Sequence, residues 1–306
     1  MSRKIQDPGF GEKYAGKTKR IINKDGSFNI HRAGADGPIR NLYQHLIEMD
    51  LVYFLILLLL GYFSMTLVFA LAYFAFGEDV ILGFNAKLSQ RFFLSCWYLS
   101  VQTFTTVGYG GLAPKGVGPN IVAALEAFTG LLSFAFATGL LYGRFSRPRA
   151  KMLFSNNALV APYDDSSGLM FRVVNRKQNV LMNMHAQVIL MMQDGEKLQQ
   201  NRSYFGLDLE ISHIQFMPLS WTLVHPISKT SPLAGITKEQ LVARNAEVLI
   251  LLSGFDDTFN QDVHARFSYT ADEIVFDAKF EPAFEMDEQG EIIMDIHNIH
   301  NYNTIK

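Results

Sequence analysis

Thr105-Thr106-Val107-Gly108-Tyr109-Gly110 decides how the rest of the chain is read. Consecutive main-chain carbonyls from such a loop replace the water shell of a bare cation when four copies meet and all the oxygens point inward. That needs unusual backbone angles, which Gly108 and Gly110 adopt without a Cβ penalty. The Thr106 hydroxyl adds a further oxygen at the inner end. Val107 and Tyr109 then point away and wedge the loop against its support. Two rival readings compete. Gly108-x-Gly110-x-x-Ala113 fits the loose dinucleotide fingerprint, which requires a preceding strand and a following helix. Pro114, Gly116, Gly118 and Pro119 follow instead, so no helix opens at the right place. A Gly-rich loop without function is the other rival, and it does not account for a six-residue string between two long apolar runs.

Those runs flank the loop on both sides. Leu51 to Phe76 carries no charged residue, and Asp50 and the Glu78/Asp79 pair bracket it. Roughly 20 helical residues cross the hydrocarbon core, so this run spans a bilayer with some tilt. Asn120 to Gly143 is the second span, with one charge, Glu126, near its outer end. An ionisable residue inside a membrane is a functional candidate; a structural role behind the loop is preferred for Glu126. Residues from about 90 to 104 are apolar and aromatic, too short to cross and return, and run directly into the loop. A re-entrant pore helix explains both facts, since non-helical backbone at membrane depth is tolerated only where it is buried or lines a cavity. Its C-terminal end points a partial negative charge at the pathway.

On the second span Gly130, Phe134, Thr138 and Tyr142 recur every four residues and share a face. If that face lines a pore, Gly130 is a flexing point and Tyr142 a hydrophobic constriction that gates by dewetting; ordinary helix packing is the alternative. Arg144, Arg147, Arg149 and Lys151 follow at once. Positive charge beside a span marks the cytoplasmic side, so both termini are expected there. The same cluster is a candidate site for anionic lipid headgroups.

Before the first span, Ile39, Leu42, Tyr43, Leu46 and Ile47 form one helical stripe, with Pro38 suited to the first turn. The spacing predicts an amphipathic helix in the interface plane. Residues 1 to about 36 are polar and rich in Lys and Gly, and a solvated arm is expected. The 306 residues, net charge of −2 and single cysteine, Cys96, give no hint of nucleic-acid binding and leave no intramolecular disulfide. The first apolar run is too long for a signal-peptide h-region.

From Phe154 onward, short apolar runs alternate with turn signals such as Asp164-Asp165-Ser166-Ser167-Gly168. Strands are predicted at 169–174, 180–191, 221–224, 247–252, 263–269, 273–276 and 291–296, and one helix at 238–243 with Thr237 and Gln240 spaced as a capping box. Many short strands and few helices argue for a β-sandwich. The histidines, among them His185, His213 and His264, show no metal-ligand spacing, and no nucleophile elbow, P-loop or HExxH is present, so an enzyme is not expected.

The loop carries the TVGYG string of potassium selectivity filters, and the architecture resembles the inward-rectifier potassium channels, most closely their prokaryotic branch. Further strings carry the resemblance: Arg144-Phe145-Ser146-Arg147-Pro148, Phe154-Ser155-Asn156-Asn157-Ala158, Phe171-Arg172-Val173-Val174-Asn175, and Val224-His225-Pro226-Ile227 with Ser231-Pro232-Leu233. The implied fold is an α+β membrane protein: two transmembrane helices with a re-entrant pore helix and selectivity filter, plus a cytoplasmic immunoglobulin-like β-sandwich. The implied organisation is an arm at 1–37, a slide helix at 38–50, a pore domain at 51–143, a basic linker at 144–153 and the sandwich at 154–306. The resemblance implies passive K+ conduction through a homotetramer, with K+ held at Thr106, Val107, Gly108 and Tyr109. It also implies a gate at Tyr142, a hinge at Gly130 and a second constriction, the G-loop, at about Gly254–Phe259. Asp257 and Glu196 match acidic residues of the cytoplasmic pore. Arg144, Arg147 and Arg149 fall on a phosphoinositide-binding linker.

Two departures matter. The family often pairs a pore-helix glutamate with an arginine beyond the filter; Gln102 and Leu112 stand there, so a different strut is expected, with Glu126 as candidate. Phe134 replaces the cavity position that binds polyamines or Mg2+ when acidic, so block by either is expected to be weak. A membrane-anchored ligand sensor, with the sandwich as the working part, is the alternative function; it predicts a small-molecule pocket in the sandwich.

Overall fold

The computed structural model describes residues 4–11, 20–30, 42–84, 92–146, 150–194 and 201–305. The chain divides into two compact units, one of residues 34–147 and one of residues 1–33 with 148–306.

The first unit is helical. Helix α1 (Leu42–Glu48) precedes α2 (Leu51–Ala75). Asp50 caps α2 by accepting from the Val52 N–H, which satisfies one of the orphan donors at the helix start. With 25 residues α2 is about 38 Å long, enough to cross the hydrocarbon core with tilt. Helix α3 (Phe92–Phe104) has 13 residues and is about 20 Å long, too short to cross. Helix α4 (Val117–Phe145) is the second membrane-length element. Both long helices expose apolar side chains such as Leu55, Leu59, Leu125 and Phe128 to their surroundings, as a lipid solvent allows. The unit's own core is small: Ala70, Tyr73, Ile81, Cys96 and Leu99. Cys96 is fully buried there as a packed thiol. Ile81–Leu82 pairs with Ala113–Pro114, and Gly83 packs so closely on the Gly111 carbonyl that a Cβ would not fit.

The second unit is a two-sheet sandwich. Its strands are β1 (Lys4–Ile5), β2 (Met152–Phe154), β3 (Ala158–Tyr163), β4 (Ser166–Asn175), β5 (Leu181–Asp194), β6 (Asn201–Leu207), β7 (His213–Phe216), β8 (Trp221–Ile227), β9 (Glu247–Asp256), β10 (Gln261–Thr270) and β11 (Ile274–Phe276). One sheet runs β1-β6-β5-β9-β10, with β7 also paired to β5. The other runs β8-β4-β3-β11, with β2 also paired to β4. All pairs are antiparallel except β3 with β11. Val248, Ile250 and Leu252 of β9 and Val188, Leu190 and Met192 of β5 point into one core with Phe171, Phe267 and Tyr269. Helix α5 (Lys238–Ala243) carries the expected capping box between Thr237 and Gln240. The sequence pattern does not signal β6 or the C-terminal strand Ala278–Phe280, because they lack period-two alternation.

The N-terminal arm departs from expectation. Leu249 and Met191 lie on the face of the sheet opposite the main core, yet both are buried, covered by Ile21 and Ile22. The Glu247 carboxylate accepts from the Ile21 and Ile22 N–H groups, the Ser268 hydroxyl donates to the Ile22 carbonyl, and Arg20 pairs with Glu273 at 2.6 Å. The apolar run Val248–Leu252 exposes two faces, so a second cover is needed; Ile21 and Ile22 supply it, with Ile5 and Phe10 packed beside them, so the arm is docked there while Lys24, Asp25 and residues 27–30 stay exposed. Lys13, Lys17, Lys19 and the stretch from Pro38 to Asn41 lie outside the described residues, as do Gln90 and Arg91.

Candidate ion-conduction site

Helix α3 ends at Phe104 and delivers the loop 105–110 directly. Thr106, Gly108 and Gly110 have φ of 58°, 55° and 83°, so every second residue is left-handed. The glycines take this conformation freely, whereas a β-branched threonine pays about 1–2 kcal/mol for it. The sequence pointed to the two glycines and missed Thr106. Alternate handedness is what brings successive carbonyls to the same side of an extended chain. All six loop residues are exposed, Tyr109 at 85% and Val107 at 52%. The wedge expected of these two side chains is therefore absent within one chain.

The strut is Gln102. Its main-chain carbonyl accepts from the Val107 N–H at 2.9 Å and the Gly108 N–H at 3.3 Å. Its side-chain Oε1 accepts from the Tyr109 N–H at 3.2 Å, and its Nε2 donates to the Leu112 carbonyl at 3.2 Å. One buried amide thus ties both limbs of the loop to α3. The missing ion pair at positions 102 and 112 is replaced at those same two positions. Glu126 serves a different joint. Its carboxylate accepts from the Tyr73 hydroxyl at 2.8 Å and contacts Ser100 Oγ, which also reaches the Thr66 carbonyl at 2.7 Å. Trp97 Nε1 donates to the Thr66 hydroxyl. Thr66, Tyr73, Ser100 and Glu126 are fully buried, and together with Trp97 they bind α3 to α2 and α4.

Gly130 is buried, and a Cβ there would lie 2.1 Å from the Phe104 carbonyl oxygen. Its glycine identity follows from the close approach of α4 to the end of α3. Helix α4 runs unbroken through it. Phe134, Thr138 and Tyr142 are exposed on α4, Phe134 at 73% and Tyr142 at 74%. Arg144 is already engaged: its guanidinium donates to the Leu46 and Met49 carbonyls and lies 4.7 Å over the Phe54 ring. It closes the C-terminal end of α1 and ties α1, α2 and α4 together. Arg147 and Arg149 lie outside the described residues, and Lys151 is exposed.

In the sandwich, Gly254 is buried in β9 at a register shift, with Met184 Sδ 2.1 Å from where its Cβ would be. The adjacent turn is organised by Asp256 rather than Asp257. Asp256 is 1% exposed, its Oδ1 accepts from the Thr258 and Phe259 N–H groups, and its Oδ2 accepts from Asn179 Nδ2. Asp257 is exposed at the turn, and Glu196 lies outside the described residues. His225 is a structural lock: its ring nitrogens meet the Asp208 carbonyl at 2.6 Å and Ser231 Oγ at 2.8 Å. Burial holds its pKa below the ordinary histidine value. The space beside α5, lined by Leu169, Leu233, Leu241 and Ile274, is about 10 Å3, too small for a ligand.

Two membrane-length helices, a half-helix that feeds a carbonyl loop and a two-sheet sandwich define a two-span channel of the filter type. The comparisons make this specific. Residues 152–306 match the model of the inward rectifier potassium channel C-terminal domain, and residues 52–147 match the ion channel model. The chain is 34% identical over 293 residues to the inward rectifier potassium channel Kirbac3.1 of Paramagnetospirillum magnetotacticum, covering 95% of this chain and 98% of that one. It is 26% identical to the ATP-sensitive inward rectifier potassium channel 12 of Gallus gallus, over 92% of this chain and 71% of that one. The chain belongs to the inward-rectifier potassium channel family. The family is one of ion channels rather than of enzymes, and K+ is the permeant ion it implies.

Proposed function

We propose that the chain is a potassium-selective channel that works as a homotetramer, with four copies of Thr106–Tyr109 offering their carbonyls, and the Thr106 hydroxyl, to dehydrated K+. The observation that carries this reading is the left-handed backbone at Thr106, Gly108 and Gly110, held by Gln102. Conduction is passive and needs no covalent step or cofactor. The exposed Val107 and Tyr109 and the open apolar hollow of about 840 Å3 bounded by Leu57, Tyr62, Phe104, Thr106 and Phe134 support the tetramer, because a single chain leaves both without cover.

Tyr142 is the gate at the cytoplasmic end of α4, and both termini face the cytoplasm. The turn after Gly254, with Asp257 at its tip, is the second constriction. Anionic lipid acts through Arg147, Arg149 and Lys151, while Arg144 keeps its place against α1. With Phe134 in the cavity, Mg2+ and polyamines are weak blockers. Flux through liposomes containing the purified protein tests the central claim: K+ and Rb+ pass, Na+ is excluded and Ba2+ blocks. Equal Na+ and K+ flux refutes it.

A further inference from the structure

The six-stranded sheet carries a pair of histidines that the channel reading leaves unused. His185 of β5 sits directly opposite His213 of β7 in the antiparallel ladder. Their rings stack, with centroids 4.2 Å apart and planes 16° from parallel. Both side chains are exposed. Among the described residues, no hydrogen bond or ion pair engages either ring. This contrasts with His225, whose two nitrogens are both taken, and with His300, whose Nδ1 accepts from the Asn156 N–H.

Directly opposed residues share a face of a sheet. Ser253 of β9 lies opposite His185, and His264 of β10 lies opposite Ser253. His213, His185, Ser253 and His264 therefore form one row across four strands. Strands are about 4.8 Å apart, which puts His264 about 10 Å from His185, beyond shared coordination. The chelating unit is the adjacent pair. No group of three or more metal-ligating side chains gathers among the described residues, so water completes the shell.

We propose that His185 and His213 form a two-imidazole site for a divalent transition metal of the Cu2+, Zn2+ or Ni2+ class. Metal–nitrogen bonds of about 2.0–2.1 Å place two ligand nitrogens roughly 3 Å apart. Rings with centroids 4.2 Å apart approach that separation when they tilt towards each other at the nitrogen-bearing edge. Imidazole suits these metals, and among the described residues no carboxylate joins the pair in a group of three or more ligating side chains, as Mg2+ or Ca2+ would need. The sequence concealed the pair because 28 positions separate its members, and strand pairing alone brings them together. Strand β7 is four residues long and, among the described residues, pairs with β5 alone, so a bridging metal pins this edge to the sheet. The inference is independent of the conduction reading.

The test uses the full chain in detergent, with any affinity tag removed and the protein stripped with EDTA. Titration with Zn2+ by calorimetry, and with Cu2+ by electron paramagnetic resonance, is expected to give one metal per chain with two imidazole nitrogens. Either His185→Gln or His213→Gln weakens binding at least tenfold, whereas His264→Gln and the His297→Gln/His300→Gln pair bind as the parent does. Amide exchange at 213–216 slows when Zn2+ saturates the parent, a readout that needs no variant. Parent-like binding in His185→Gln and His213→Gln, or unchanged exchange at 213–216, overturns the proposal. So does loss of binding only in the control variants.

Discussion

Replacing Gln102 by Leu removes both side-chain ties of the filter while keeping a buried side chain of similar size. The two hydrogen bonds, each 3.2 Å long, contribute about 0.5–1.5 kcal/mol apiece. The Tyr109 N–H then loses its partner, and an unsatisfied donor adds about 1–3 kcal/mol where water does not reach it. The main-chain bonds from Val107 and Gly108 to the Gln102 carbonyl survive. The sum, about 2–6 kcal/mol, shifts the balance between a held and a collapsed filter by roughly 30- to 20,000-fold. Rb+ uptake into liposomes, normalised to tetramer from size exclusion, is expected to fall at least tenfold. Gln102→Glu alone also fails, because a carboxylate offers no hydrogen to the Leu112 carbonyl. Gln102→Glu combined with Leu112→Arg restores an ion pair across the same gap and recovers flux. Parent-like, K+-selective uptake in Gln102→Leu tetramers refutes the strut.

Gly130→Ala places a methyl group 2.1 Å from the Phe104 carbonyl oxygen, so α3 and α4 must part; a stability loss of about 1–3 kcal/mol or more, read by thermal unfolding, is expected along with reduced flux. Were Gly130 a free hinge instead, the alanine variant would keep its stability and change only gating. Tyr142→Ala raises open probability or leak in single-channel recordings, and unchanged occupancy places the constriction elsewhere. Steep polyamine block in patches would contradict the weak block expected from Phe134, unless Asp257→Asn abolishes it. The sandwich loses stability as pH falls. Burial lowers the folded pKa of His225, and burial, with a smaller contribution from the His297 charge, lowers that of His300. Their contribution is therefore fully present above the unfolded value near 6.5 and declines as the pH drops below it. Thermal unfolding between pH 7 and 5 should show the decline, and His225→Gln should flatten it.

The sequence disclosed what depends on short range and hid what depends on distant partners. The α2 span, the helix at Lys238–Ala243 with its capping box, and the glycine need at Gly108 and Gly110 follow from runs, spacings and local backbone cost. Thr106 was invisible because nothing in a threonine announces a left-handed conformation; the surrounding hydrogen bonds impose it. In the N-terminal arm, Ile21 and Ile22 make too small an apolar run to signal burial. The signal lay 228 positions away, in Leu249, an apolar residue on the face of β9 turned away from the main core. At Gly130 the sequence alone does not reveal the close approach, because a glycine in a helix has two physical uses, bending and close approach, and only the neighbouring Phe104 carbonyl shows the second.

Gln102 shows the same limit in sharper form. Against the family pattern, glutamine and leucine at 102 and 112 look like a lost ion pair, and a search for another charge leads to Glu126. The geometry demands something narrower: an acceptor for the Tyr109 N–H and a donor for the Leu112 carbonyl, from one side chain. A carboxylate supplies only the acceptor, so it needs a cationic donor beside it. A primary amide supplies both, so it leaves position 112 free to be apolar. Glutamine and leucine are thus a matched pair, and the change at 112 follows from the change at 102. Glu126 is free of that duty and joins α2, α3 and α4 through Tyr73 and Ser100. Filter support in this chain is therefore divided between a neutral amide that holds the loop and a buried carboxylate that holds the helix bearing it.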